Sequence, residues 1–481
     1  MHEVQIQDHQ EDKSERRNTT RHCCYRWCKV ETQGIDPVPP NQRPHTRIWD
    51  NFTIWFSVSS TLAYLMIGML GWQLYELAFW QAFLCIVLGN MIASIPGSIY
   101  STLGFRTGLR QMVLVRYSFG YYGGKLISAL NWINSVGWMI INIIQSAQFF
   151  VAMGTPGQPS SLPLWAGVVI LAVATWIICL IGYKLIHNLQ RWLWIPMWTA
   201  FGLLFGLGLA RYDPNRSVLS YPEAEPKAVM SFFGLIYSST ALWPFAAADF
   251  TVRQPTTFNP YTVGMLSYLG GVLPTILLES LAFVLAAVWV PEHLEKSGDS
   301  GALAADVFAP IGWFGQFLLV VFAFNAVGHV VPSAYNMALT VQTIVPWRRI
   351  WALATINMII VAILGAFGAE DLVRILQIFL PPITYCIAGY NAILLSEHFV
   401  FRSRRKYNIE SWNDPRQLPV GAAAILTLVI AFGAGMLATS QPWFIGPIAK
   451  RVGDFGVILS LAFGFCFYNP LRYWEKKIFH R

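Results

Sequence analysis

The chain has 481 residues, of which 55% are apolar, 15% aromatic and only 12% charged. A soluble surface usually needs about 25% charged residues, so the composition argues against a water-soluble enzyme. Lys and Arg outnumber Asp and Glu by 33 to 25, a formal charge of +8. In so apolar a chain that excess speaks first of topology, because cationic loops stay in the cytoplasm. No nucleic-acid motif accompanies it, and no nucleic-acid partner is expected.

Residues 1–48 are polar, carry mixed charge and include the turn-rich Asp36-Pro37-Val38-Pro39-Pro40. They bury too little apolar surface to fold alone and read as a disordered cytoplasmic tail. The tail lacks the apolar core of a cleavable signal peptide, so the first span acts as its own insertion signal. Cys23, Cys24 and Cys28 group in this tail. They read as reduced thiols, with palmitoylation or metal binding as the alternatives. Cys85, Cys179, Cys386 and Cys466 fall in apolar runs and read as small packing residues.

Apolar segments follow at 52–75, 78–103, 126–152, 163–184, 191–210, 229–248, 262–290, 311–344, 351–369, 373–396, 419–438 and 454–470. Window counting therefore predicts an all-α polytopic membrane protein of twelve transmembrane helices over residues 49–472. With both termini cytoplasmic, most of the Lys and Arg fall on the inner loops and tails, as the positive-inside rule requires. Residues 473–481 then form a short cytoplasmic C-terminal tail. The basic stretch FRSRRKYNIE at 401–410 reads as a topology anchor, with anionic lipid as an alternative contact.

Several spans carry helix-breaking residues. Pro244 falls in the sixth, Pro274 in the seventh, Gly328 and Pro332 in the eighth, and Pro381-Pro382 in the tenth. Each proline removes a backbone donor and frees a carbonyl that lipid cannot satisfy. A simple packing kink is the bland reading. Broken helices grouped with polar side chains point instead to a midplane site, as in transporters built from inverted repeats.

The polar groups at membrane depth are few. They are Ser57, Ser59, Ser60 and Thr61 in the first span, and Asn131, Asn134, Asn142, Gln145 and Gln148 in the third. Trp243 and Asp249 lie in the sixth, Glu279 in the seventh, and Asn325, His329, Ser333 and Asn336 in the eighth. A buried unpaired amide costs about 1–3 kcal/mol, so five on one helix need partners. The spacing sets Asn131, Asn134, Asn142 and Gln145 on or near one helical face, where some serve as glue between helices and the rest face a ligand. A carboxylate in the membrane costs about 2.5–3.5 kcal/mol on insertion scales. Glu279 is the deepest by position; Asp249 stands at a helix end near Arg253, where an interfacial ion pair competes with a site role. His329 titrates near neutral pH when unperturbed, although a lone helical histidine is often a packing residue.

Two long stretches then become recognisable. Residues 104–124 read GFRTGLRQMVLVRYSFGYYGG and 130–142 read LNWINSVGWMIIN; AAADFTV follows at 246–252 behind Trp243, then Pro332, then EHFVFR at 397–402. This ordered set closely resembles the purine-cytosine permease branch of the nucleobase-cation symporter family, from about residue 50 to the C-terminus. The resemblance implies a secondary active importer of purine- and cytosine-type bases, driven by symport of protons or, alternatively, sodium. It implies a 5+5 inverted-repeat core, as in amino-acid symporters, with two peripheral helices and the substrate between spans 1, 3, 6, 8 and 10. Carried over residue by residue, Trp243 is expected to stack on the base and Asn142 to hydrogen-bond its edge. Ser59, Ser60, Gln145, Pro332 and Ser333 complete the expected binding set. Glu279, His329 and Asp249, in that order, are the coupling-ion candidates. No metal and no cofactor is implied; the partners are the small heterocycle and membrane lipid, and the expected residence is the plasma membrane.

The chain departs from the family pattern at three places. Ser57-Val58-Ser59-Ser60-Thr61 stands where relatives carry Ser-Ala-Asn-Thr-Asn, Pro244-Phe245 where a small polar pair is usual, and His329, Val330, Val331 and Ser333 where asparagines flank the proline. Fewer amides read fewer ring edges. The alternative substrate is therefore a vitamin-like pyridine or pyrimidine, and the alternative function a substrate-sensing receptor. A membrane enzyme is not expected, because the nine histidines are scattered and neither a His-x-x-x-His pair, a P-loop nor a dinucleotide fingerprint occurs.

Overall fold

The computed structural model describes residues 34–43, 47–153, 162–181, 191–210, 223–288, 299–345, 347, 349–402 and 407–481. Cys23, Cys24, Cys28 and residues 403–406 of the basic loop lie outside them. Among the described residues, six helices are long and apolar enough to cross a membrane: Phe79–Thr107, Arg116–Val151, Pro226–Phe245, Pro260–Val288, Trp313–Ile344 and Ala369–Phe401. Asp50–Val58 and Leu62–Gln73 make a further crossing if taken as one span bent by 55°. Leu164–Leu180, Trp194–Leu209, Ser300–Ile311, Trp351–Phe367 and Ala422–Leu437 are shorter apolar helices. A two-residue hairpin pairs Ser440–Gln441 with Phe444–Ile445.

The outer faces of the helices are apolar, unlike those of a soluble bundle, while apolar clusters also fill the interior. On Phe79–Thr107 the residues Leu84, Leu88, Met91, Ile92 and Ile95 are exposed, while Asn90, Ala93, Gly97, Ser101 and Gly104 on the other face are buried. Lipid is as apolar as leucine, so burying leucine gains nothing there; small residues and hydrogen-bonded polar groups join helices instead. Gly68 shows the closeness reached, since a Cβ there would overlap the Glu279 backbone.

The prolines divide into two groups. Pro244 lies in a true break, where Pro226–Thr240 gives way to the short 3-10 turns Trp243–Phe245 and Ala247–Phe250. Pro274, Pro332 and Pro381-Pro382 instead sit inside continuous helices, which corrects their reading as interruptions. A proline deprives only the carbonyl four residues back, and that group can find another donor. Trp443 Nε1 donates to Gln377 O at 3.5 Å, serving the carbonyl that Pro381 leaves. In the eighth apolar segment the helix is divided at Phe324, between Trp313–Ala323 and Asn325–Ile344, and not at its proline.

Described parts of both ends pack on the helical domain. Within residues 1–48, Val38 is buried and its N–H donates to Gly108 O at 2.9 Å. Arg43 closes this strap, donating to Val38 O at 2.7 Å and to Phe105 O. Gly108 takes φ +72° as the C-cap of Phe79–Thr107, a left-handed turn that glycine adopts freely and that leaves its carbonyl available. At the other end Gly456–Phe479 runs helically through most of 473–481. Buried Glu397 accepts from Tyr468 and Arg472 and pairs with Arg402 at 3.0 Å, joining that helix to Ala369–Phe401.

Candidate functional site

Two helix breaks meet in the middle of the molecule. The first lies at Ser59–Thr61, where Thr61 caps Leu62–Gln73 by accepting from Ala63 N at 3.4 Å. The second lies at residues 241–246. Tyr64, one turn past the first break, donates its hydroxyl to Ser239 O at 3.4 Å and accepts from Trp243 Nε1 at 3.3 Å. Trp55 meets Trp243 edge-on at 5.6 Å.

The peptide groups exposed at the first break are served by two other helices. Asn325 donates to Ser60 O at 2.8 Å and accepts from Leu62 N at 3.2 Å. Asn142 accepts from Thr61 Oγ1 and donates to Trp138 O at 2.8 Å. His329 Nδ1 lies 3.2 Å from Val58 O; a carbonyl only accepts, so this nitrogen carries the hydrogen.

Beside the breaks is a cavity lined by Tyr64, Ser239 and Trp243 on one side and by Asn134, Trp138, His329, Ser333 and Asn336 on the other. The His329 ring stands 5.2 Å from Trp243 at 70° and 6.5 Å from Trp138. Three polar atoms of the lining residues are buried without a partner: Trp138 Nε1, Asn134 Oδ1 and Asn336 Oδ1. Each costs about 1–3 kcal/mol while unpaired. The described lining holds no Asp, Glu, Lys or Arg. Such a wall of indoles and amides suits a flat, uncharged, polar ring.

Of the expected binding residues, Trp243 and Ser333 line this cavity; Asn142, Ser59, Ser60, Gln145 and Pro332 do not. Ser60 donates to Phe56 O at 2.5 Å and accepts from Trp198 Nε1 at 2.8 Å. Ser59 is buried with its hydroxyl unpaired, and Gln145 Nε2 reaches Ser300 Oγ at 3.5 Å. Pro332 is buried within Asn325–Ile344.

The three coupling-ion candidates lie apart. His329 is in the cavity wall. Glu279 is fully buried, accepting from Asn90 Nδ2 and from Ser239 Oγ, the latter at 3.3 Å. Thr240 Oγ1 donates to the Asn90 oxygen and completes that cluster. Ser239 lines the cavity, so one residue separates the carboxylate from it. Asp249 accepts from Gln111 N at 2.8 Å and does not line the cavity. Tyr64, Trp138 and Ser239 were not singled out from the sequence. Trp138 shares a helical face with Asn134 and Asn142 at spacings of four, the one signal that marked it.

Residues 37–456 match the family model of permeases for cytosine/purines, uracil, thiamine and allantoin. The chain belongs to this family. A purine-cytosine permease of Emericella nidulans is 33% identical over 472 residues, covering 94% of this chain and 90% of that relative. A vitamin B6 transporter of Saccharomyces cerevisiae is 26% identical, covering 94% of this chain and 88% of that relative. The fold is shared with Mhp1, a nucleobase-cation-symport-1 family transporter solved in a closed conformation with bromovinylhydantoin bound. The TM-score is 0.70 at 15% identity, over 93% of this chain and 97% of that one. As a permease-family member the chain is a multi-pass membrane transport protein, not an enzyme.

Proposed function

We propose that the chain imports a purine- or cytosine-type nucleobase across the plasma membrane in symport with a proton, by alternating access. The observation that carries this reading is the cavity at the meeting of two helix breaks, walled by Trp138, Trp243 and unpaired amides. An aromatic face stacks on a flat base for about 1–3 kcal/mol, and an amide both donates and accepts along its edge. Trp243 takes the stacking role. Ser333 is within reach of the ring, whereas Asn142, Ser60 and Gln145 act by bonding the helices that shape the cavity.

Glu279 is the leading proton carrier. Its hydrogen bond to Ser239, and the Ser239–Tyr64–Trp243 contacts beyond, form a physical link from the carboxylate to the cavity. His329 is second, between the first break and Trp243, and Asp249 third. Twelve spans arise when the bent pair, the four short helices at 164–180, 194–209, 351–367 and 422–437, and Gly456–Phe479 join the six long ones. Both termini then lie inside, and the two breaks occupy equivalent places in a 5+5 inverted repeat.

Uptake of labelled cytosine, adenine or hypoxanthine in transporter-deficient cells, with and without a protonophore, is the test. Accumulation that collapses with the proton gradient supports the proposal; accumulation indifferent to it removes proton coupling. A vitamin-B6-type pyridine is the second reading, favoured by the relative named for that vitamin.

A further inference from the structure

Resting on that reading, the two helices facing each other across the cavity narrow the substrate class. Arg116–Val151 and Asn325–Ile344 run antiparallel and are joined by a ladder of side-chain hydrogen bonds. Thr343 Oγ1 donates to Ser128 Oγ at 2.6 Å, and one turn on Asn131 Nδ2 donates to Thr340 Oγ1 at 2.9 Å. The next turn brings Asn134 on one helix and Asn336 on the other. Both line the cavity, and the ladder stops there, with Asn134 Oδ1 and Asn336 Oδ1 each buried and unpaired. Asn134 is only 5% exposed. A further turn on, Trp138, also 5% exposed, presents an unpaired indole N–H at the same cavity.

We infer that Asn134 and Asn336 form a carboxamide pair that reads the edge of the transported ring. Each carboxamide sets an acceptor beside a donor. It therefore pairs side by side with any ring edge that places N–H next to C=O, or an exocyclic amine next to a ring nitrogen, as asparagine does with adenine. Rotation of the amide accommodates either order, so amino and oxo bases are both read. Cytosine, adenine and hypoxanthine carry such edges. Pyridoxine offers hydroxyls and a lone ring nitrogen, with no N–H beside a carbonyl or ring nitrogen, and leaves both asparagines unmatched. The pair thus selects nucleobases over the pyridine class. The Asn131–Thr340 bond one turn away holds the two helices in the register that sets the asparagines opposite each other.

The test uses the full chain in cells, with labelled cytosine uptake and unlabelled competitors. On the wild type, N4,N4-dimethylcytosine keeps the ring and its N1–H beside C2=O but loses the amine donors beside N3, one of the two matching edges. It is expected to compete about 5- to 150-fold less well than cytosine, the range of one bidentate contact, and pyridoxine no better than it. Asn134→Ala and Asn336→Ala, at normal surface abundance, are each expected to raise the half-saturating cytosine concentration by a similar factor. The variant of whichever asparagine reads the amine edge should also narrow the gap between cytosine and its dimethyl analogue. Equal competition by cytosine, its dimethyl analogue and pyridoxine on the wild type overturns the inference whether or not the variants fold, as does an analogue gap unchanged in both well-expressed variants. A wild type that takes up pyridoxine and no nucleobase overturns it too, while leaving heterocycle transport standing. A wild type that takes up no heterocycle at all overturns the transport reading and this inference with it.

Discussion

Replacing Glu279 by Gln separates carrying the proton from carrying the ring. The side chain is fully buried, accepts from Asn90 Nδ2 and Ser239 Oγ, and has no Lys or Arg paired with it among the described residues. A charge at such depth costs about 2.5–3.5 kcal/mol, which favours a neutral carboxyl in at least one stage of the cycle. Gln has the same shape and stays neutral. It keeps one acceptor oxygen for Ser239 or Asn90 and forfeits at most one hydrogen bond, about 0.5–1.5 kcal/mol, too little to unfold the chain. Losing the proton costs far more in accumulation. One charge moved across 100 mV is worth about 2.3 kcal/mol, or roughly 50-fold at about 1.4 kcal/mol per tenfold. Proteoliposomes with an imposed proton gradient and labelled cytosine are therefore expected to concentrate it tens of fold for the wild type and not at all for Glu279→Gln. Exchange of internal for external cytosine, which needs no gradient, should persist. A Glu279→Gln protein that still concentrates cytosine refutes the assignment.

Three further expectations follow from the contacts. Trp243→Ala removes an indole that lines the cavity and donates to Tyr64; binding should weaken by about 1–3 kcal/mol and uptake vanish at normal surface abundance, with Trp243→Phe recovering part of both. Asn325→Ala leaves Ser60 O and Leu62 N unpaired at the first break, at about 1–3 kcal/mol for each group, and should lower the melting temperature of the purified protein as well as its transport. Glu397→Gln breaks a buried cluster with Arg472 and Arg402, which strands charge at about 3–5 kcal/mol, and should cut the amount of folded protein far more than the half-saturating concentration of what remains.

The sequence foreshadowed the breaks unevenly. The run Ser57–Thr61 stood out only as hydroxyls at membrane depth, which do not by themselves mark a break, since a hydroxyl can be served by the carbonyl four residues back, as Ser60 is by Phe56 O. Pro244 marked the second. Pro274, Pro332 and Pro381 carry the same local signal yet leave their helices continuous; at Pro381 a donor from outside the helix meets the freed carbonyl. Trp443, more than 60 residues from Gln377, illustrates how remote that rescue is. Among the amides, spacing showed a shared face without telling glue from site. Asn142 bonds Thr61 and lies off the cavity, Asn131 lines the cavity yet is already bonded to Thr340, and Asn134 lines it with its oxygen unpaired. Which faces of two helices meet is a tertiary fact, and one chain read alone holds no record of it. The tail misled for a related reason: Val38 is a single apolar residue in a polar stretch, and its burial depends on the Gly108 carbonyl, 70 residues away.

The most direct measurement is an experimental structure of the full chain with cytosine bound. Flat ring density is expected between Trp138 and Trp243, with Asn134 and Asn336 within hydrogen-bonding distance of its edges. Ring density elsewhere in the protein, with this cavity filled by side chains, contradicts it.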